Sequence, residues 1–374
     1  MALVSDGIDW LDRAASVTQE AEESLEPSAC ATCFRIGDAC LEVISNHEPL
    51  SSELLALYGD CRVTECQPSL PRISCRVSCL GDSSLLLLAF DGADGADPFE
   101  TAYAPIRLMR HMQRYAEVPS PLPGWRVLVN VTASKRLLLA SDGRSVLINL
   151  AEAPPGFAVD CVVGTVQRTQ TGVLFLHAAC VGISGSGVLL LAPSRSGKTT
   201  TALALAARGH RLLGDDLAPV RLATREVIPL LKAATFRIGP LPAALEGLKD
   251  RLQPDRYTVG AAIDSAQILV RLGEIIPLIG GGPLPLRFAF LIDGFANQSA
   301  SEPFEPALSE IKKLRSIIGE TTLPWGISPG RDLINFLKIV NLLSKLRCYT
   351  LKLQLGSPDQ SAIFIERMVV GTCS

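Results

Sequence analysis

The chain is poor in several things that would have pointed it elsewhere. Aromatic residues make up 5% of its 374 residues, against 48% apolar residues overall, so Leu, Ala, Val and Ile carry the core. That balance suits α/β packing better than an aromatic-rich β-sandwich. Charge is sparse at 20% and nearly balanced, 35 basic against 38 acidic residues. There is no Lys/Arg block or stripe, and a nucleic-acid partner is not expected. Long uninterrupted apolar runs are also missing. The start, MALVSDGIDWLDRAASVTQEAEESLEP, is acidic and is not expected to act as a signal peptide. The apolar stretch 275–292 is broken by Gly280-Gly281-Gly282, prolines and Arg287, and no membrane span is expected there. A cytoplasmic protein without a membrane partner is the resulting expectation.

Cysteine is not scarce, but a second metal-type pair is. Seven of the eleven cysteines precede residue 80, and the Cys-x-x-Cys spacing of Cys30 and Cys33, one that zinc ligands use, is not repeated by a second pair. The expectation is reduced thiols packed as small hydrophobes, without zinc.

At roughly 150 residues per domain the length suggests two domains. Residues 1–28 read as a polar leader. Between Phe34 and Asp97, the runs LEVI, RISCRVSCL and LLLLAF read as strands and turns. A helix is expected over 102–115, then strands in WRVLVNV and RSVLINL. The Pro/Gly cluster AEAPPG at 151–156 marks a boundary, with a helix following over 159–169. Residues 29–155 are thus expected to be an accessory strand-rich α+β domain, and 156–374 a second domain.

The chemistry lies in the second. In GVLLLAPSRSGKTTTALALAARG, the apolar strand Val188–Leu191 runs into a small-residue loop, and then into an Ala/Leu-rich helix stopped by Gly209. Strand, loop, Gly-Lys-Thr and helix is the context of a phosphate-binding loop. Ser194, Arg195, Ser196, Gly197, Lys198, Thr199 and Thr200 would line the phosphates with backbone N–H groups at a helix N-terminus. Lys198 would add its charge, and Thr199 would offer a hydroxyl to magnesium. The usual first glycine of such loops is Ala192 here. The next strand, Arg211–Leu213, leads to Asp215-Asp216, 17 residues after Lys198. Adjacent residues on an extended chain face opposite ways, so one carboxylate can serve a metal and the other a proton. Upstream, 178–183 and 188–192 read as a hairpin with the four-residue turn Ser184–Gly187. If Ile183 pairs with Val188, His177 comes opposite Ser194, where it could touch a phosphate or orient an acid.

His177, the hairpin, the GKT loop, the ALALAARGHRL link and Asp215-Asp216 together resemble the HPr kinase/phosphorylase family. That resemblance implies an α/β P-loop kinase domain of HPr kinase/phosphoenolpyruvate carboxykinase type. It implies ATP and Mg2+, and a peptide or small protein carrying a serine or threonine as acceptor. By the resemblance, Lys198 binds phosphates, Thr199 and Asp216 serve magnesium, Asp215 is the general base, and His177 sits beside them. The chain departs from the family where a glutamate-bearing segment is expected: LLKAATFRIG, 230–239, offers Lys232 and Arg237. A cation there could take over part of a metal's charge role. A closing strand plus helix is expected in RCYTLKLQLGSPDQSAIFIERMV.

Other readings stay open on the residues alone: a small-molecule alcohol kinase, or a nucleotide-hydrolysing regulatory protein, although no guanine-type NKxD motif is present. The oligomeric state, a homo-oligomer included, is left open. Asp293, after RFAFLI, reads as a turn residue, with a second magnesium acid as the alternative. Lys312, Lys313 and Arg315 read as the solvated face of a helix over 308–318.

Overall fold

The computed structural model describes residues 31–45, 48–65, 69–79, 115–118, 126–130, 136–141, 145–148, 159, 162–164, 166–167, 170–193, 196–237, 267–274, 276, 280–306 and 329–373. The expected leader, the LLLLAF run, the helix over 308–318 and all but the last residue of the helix expected over 102–115 lie outside them, as do Ser194 and Arg195. Tyr115 itself begins a strand. The chain divides into two compact units. One comprises 1–34, 39–54 and 63–169, the other 35–38, 55–62 and 170–374.

The strands before residue 150 form one mixed sheet. They are β1 (Thr32–Ile36), β2 (Ala39–Ser45), β3 (Arg62–Val63), β4 (Arg72–Cys79), β5 (Tyr115–Val118), β6 (Arg126–Asn130), β7 (Arg136–Ser141) and β8 (Ser145–Ile148), in the order β3-β1-β2-β4-β8-β7-β6-β5. β2, β4 and β8 run parallel. Parallel neighbours need a crossover, and helix α1 (Glu48–Tyr58) lies in the chain between β2 and β4. Strands and turns alone were expected here. The helix is nevertheless written in the sequence, since Leu50, Leu54 and Tyr58 recur every four residues and are buried.

Cys33, Cys61, Cys180 and Cys348 are free thiols, the last three buried. Burial pushes those three up to about 12, which suits inert packing. Cys40 corrects the expectation of reduced thiols, because it is disulfide-bonded.

The second unit is built on the strands from β9 to β19. They are β9 (Val173–Leu176), β10 (Ala178–Ile183), β11 (Ser186–Leu191), β12 (Arg211–Gly214), β13 (Ala218–Arg221), β14 (Glu226–Val227), β15 (Ala234–Arg237), β16 (Gln267–Val270), β17 (Leu284–Ala296), β18 (Ala300–Pro303) and β19 (Arg347–Gln354). The main sheet runs β12-β10-β11-β17-β14-β13-β9, with β19 added beside β17 and β18 beside β19. β15 and β16 form a separate pair. β11, β17 and β19 are parallel.

Every residue of β10 and β11 is buried, as a strand covered on both faces requires. Val181, Ile183, Val188 and Leu190 pack with α2 (Lys198–Ala207) and with Ile365 and Val369 of α4 (Pro358–Cys373). Cys180, Leu189 and Leu191 pack the other way, with Ile339, Leu342 and Leu343 of α3 (Pro329–Leu343). Helices therefore cover both faces of the sheet in an α/β layering. Each buried Leu or Val contributes roughly 1.5–3 kcal/mol. The closing strand and helix are β19 and α4, as expected.

The β10–β11 hairpin is tighter than expected. Ile183 pairs with Ser186, and Ser184 and Gly185 make a two-residue turn with φ of 48° and 74°. Two consecutive positive φ values match the strand twist, which is why such turns prevail over longer ones. The register is shifted by two, so each side chain keeps its face. Asp293 is not in a turn. It is an exposed residue of β17, at a bulge between Ile292 and Phe295 where Gly294 has φ 97°. Among the described residues no helix is long and apolar enough to cross a membrane.

Candidate functional site

β12 runs antiparallel to β10, which runs antiparallel to β11. β11 and β12 therefore point the same way, and their C-terminal ends open on one edge of the sheet. That edge is where α/β proteins place ligands.

At the end of β11 the chain passes through Ala192 and Pro193 and reaches Gly197, whose φ is 87°. A left-handed φ favours glycine. A Cβ here would also sit 3.0 Å from Leu353 Cδ1 and 3.6 Å from the Phe295 ring. α2 begins at once, its first bond running from the Thr201 N–H to the Gly197 carbonyl, 2.9 Å. Lys198 is buried, and its ammonium donates to the carbonyls of Ala192 (2.6 Å) and Pro193 (3.0 Å). The lysine thus spans its own loop in this structure. Thr200 and Ser196 flank it, both half-buried.

The Thr199 hydroxyl lies 3.0 Å from both carboxylate oxygens of Asp215. Asp215 follows Gly214, where a Cβ would come 3.0 Å from the carbonyls of both Leu217 and Leu230. Asp215 is almost wholly buried, 4% exposed. Burial, and next the neighbouring Asp216 charge, push its carboxyl up to about 6, while the Thr199 hydrogen bond and Lys198 pull the other way.

Asp216 turns away through a left-handed backbone, φ 65°. Asp tolerates that conformation better than most side chains. The two carboxylates diverge for this reason, and not through the alternation of an extended strand as expected. One Asp216 oxygen is 3.0 Å from His177 Nδ1, and the other accepts from the Lys232 ammonium at 2.9 Å. The Lys232 charge holds this carboxyl well below the usual range, with burial opposing and the His177 hydrogen bond assisting. His177 lies between β9 and β10, and its Nε2 is buried with no hydrogen-bond partner among the described residues. With the observed register, position 177 extrapolates to Ala192 on β11 and not to Ser194.

His177, Lys198, Thr199, Asp215 and Asp216 are therefore brought to one edge. Lys232 joins them. Arg237 lies on β15. The sequence did not reveal that Thr199 and Asp215 would pair, because that contact depends on two strand ends being adjacent. It also gave no sign that Leu353 and Phe295 would flank Gly197.

A hydroxyl and a buried carboxylate are hard oxygen donors of the kind magnesium takes. The Thr199 hydroxyl and the Asp215 carboxylate, 3.0 Å apart, fit one side of a divalent cation. Among the described residues no three His, Cys, Asp or Glu side chains converge as a metal cage. Most of the ligands of a cation held here would have to come from a bound molecule and water.

The arrangement defines a strand–loop–helix site of the phosphate-binding type, with two acids at its rim. No family model matches the chain. The HPr kinase/phosphorylase of Shouchella clausii is 30% identical over 106 residues, 28% of this chain and 34% of that protein. The HPr kinase/phosphorylase of Listeria monocytogenes is 26% identical over 156 residues, 42% and 44% of the two chains. That of Caldanaerobacter subterraneus is 50% identical over 75 residues, 20% and 24%. The matches span less than half the length of each of these relatives. Among solved structures, the Hpr(Ser) kinase/phosphatase from Coxiella burnetii aligns at 12% identity, over 53% of this chain and 95% of that one. Its TM-score is 0.26, too low to bear on the fold. Over these partial spans the chain is similar to HPr kinase/phosphorylases.

Proposed function

We propose that this chain is an ATP-dependent kinase that phosphorylates a serine or threonine hydroxyl of a peptide or small protein. One observation carries the reading: beside the GKT helix start, two adjacent carboxylates are held in opposite surroundings. Asp215 meets Thr199, and Asp216 meets His177 and Lys232. Phosphoryl transfer needs a cation-holding acid and an acid for the acceptor proton, at different places around one phosphate. The kinase names of the relatives agree with it.

The geometry favours exchanging the two roles that the resemblance implies. A carboxylate 3.0 Å from the Thr199 hydroxyl shares whatever cation that hydroxyl binds. Thr199 and Asp215 are thus the residues that would hold magnesium, which when bound offsets charge on the phosphate oxygens. Asp216 takes the part of the base. The acceptor oxygen bonds to the γ-phosphorus, the bond from that phosphorus to the bridging oxygen breaks, and the electron pair leaves with the nucleoside diphosphate. The hydroxyl proton goes to the Asp216 carboxylate, oriented by His177 and Lys232. A weakly basic carboxylate suffices where the transition state is loose and the proton departs late. Lys198 then exchanges its loop carbonyls for phosphate oxygens. The phosphoenolpyruvate carboxykinase-type fold and an accessory role for 29–155 belong to the same proposal.

The test is transfer from γ-labelled ATP to proteins and peptides of the source organism, with mapping of the modified residue. Phosphoserine or phosphothreonine on a defined peptide supports the reading. Release of free phosphate with no labelled acceptor contradicts it.

A further inference from the structure

Lys232 is an unusual neighbour for a candidate base. Its side chain is only 11% exposed, and its ammonium sits 2.9 Å from Asp216 Oδ2. The main chain on both sides fixes it there. Leu230 donates its N–H to Leu213 O at 2.8 Å and bridges Gly214, the residue before the aspartate pair. Ala233 donates to Leu57 O at 2.7 Å. Lys232 is thus placed by backbone bonds from both directions, and is no surface lysine that happens to reach a carboxylate.

We infer that Lys232 is a built-in cation occupying the second cation position of this site, so that a bound nucleotide carries one divalent metal ion and not two. The inference rests on the kinase reading above and deepens it. Two carboxylates beside a triphosphate concentrate negative charge that must be offset. On the Thr199 side the direct partner of Asp215 is a neutral hydroxyl, and Lys198 bonds its own loop carbonyls, which leaves room for a metal there. On the Asp216 side both oxygens are already taken, one by His177 Nδ1 and one by the ammonium. Magnesium needs oxygen ligands at about 2.0–2.1 Å in near-octahedral order. It cannot reach Asp216 Oδ2 without displacing the lysine, and the two cations would repel. Lys232 acts through the Asp216 carboxylate that it holds, so it is a positioning residue.

The measurement is a Mn2+ titration followed by electron paramagnetic resonance, with a non-hydrolysable ATP analogue, counting ions per bound nucleotide. The wild-type protein binds one. Lys232→Glu, which replaces the ammonium with an oxygen pair, binds two, the second at least tenfold tighter than any second ion on the wild type. Lys232→Gln, a milder change, opens the same position at lower affinity, and Lys232→Arg keeps one ion. Two ions per nucleotide on the wild type, or a single ion on both the Glu and Gln variants, overturns the inference and leaves the kinase reading standing. Absence of nucleotide binding to the wild-type protein, read in the same titration with a fluorescent analogue, removes both.

Discussion

The two sides of the aspartate pair differ sharply. On the Thr199 side, Asp215 is buried, meets a neutral hydroxyl and is pushed up to about 6. On the His177 side, one residue later, Asp216 is clasped by an ammonium and an imidazole and held far below its usual range. The first is a charge waiting for a cation, the second a charge already supplied with one. Sequence adjacency therefore says little about electrostatic role. The difference is made by one left-handed residue and by a lysine delivered from 16 positions downstream.

The comparison can be broken in order of effect. Lys198→Met should lower ATP affinity by roughly 100-fold or more, since a fixed charge at the phosphates is lost on both sides alike. Calorimetric titration checks this, with circular dichroism to show that the fold persists. Unchanged affinity would mean that the loop does not hold phosphates.

Next comes stability. The Asp215 carboxyl has a folded value raised from 3.8 to about 6. The group therefore takes up a proton on folding. Its contribution is fully present below about pH 4 and is lost as pH rises through about 6. Asp215→Asn, which keeps the hydrogen bond to Thr199, should stabilise the metal-free protein above pH 6 by on the order of 2 kcal/mol, and by little at pH 4. Chemical denaturation of wild type and variant at both pH values reads the difference. A variant less stable at pH 7 would contradict the account of Asp215 as an underpaired charge.

The smallest expected effect is His177→Asn. The amide can still reach Asp216, so nucleotide affinity should stay within about threefold and transfer should fall roughly tenfold, at the low end for a group assisting proton movement. A loss of nucleotide binding in this variant would place His177 on the phosphate side and blur the comparison.

Much of this was legible in the sequence. The strand Val188–Leu191, the helix from Lys198 and the acids at the end of β12 are local patterns, and local patterns survive folding. The family resemblance, and not the local pattern, marks Lys232 and Arg237 in LLKAATFRIG as cations where a metal contact is expected. Three things could not be read. The divergence of Asp215 and Asp216 depends on a φ of 65° that nothing in the motif demands. The Thr199–Asp215 contact depends on two parallel strand ends lying on either side of β10. The hairpin turn departs from the expectation because Ser-Gly-Ser-Gly allows two registers two residues apart with the same faces. Only pairing distinguishes them, and with it the residue opposite His177.

The central claim is that the two carboxylates do different work, and the direct test compares Asp215→Asn with Asp216→Asn. ATP affinity is measured by calorimetry with and without Mg2+, followed by single-turnover transfer to an accepted peptide. The account predicts that Asp215→Asn loses the Mg2+-dependent part of binding. It predicts that Asp216→Asn binds Mg2+–ATP nearly as wild type yet transfers about 10²- to 10⁴-fold more slowly. The reverse pattern would restore the assignment implied by the family resemblance, and equal loss of binding in both would contradict any division of labour between them.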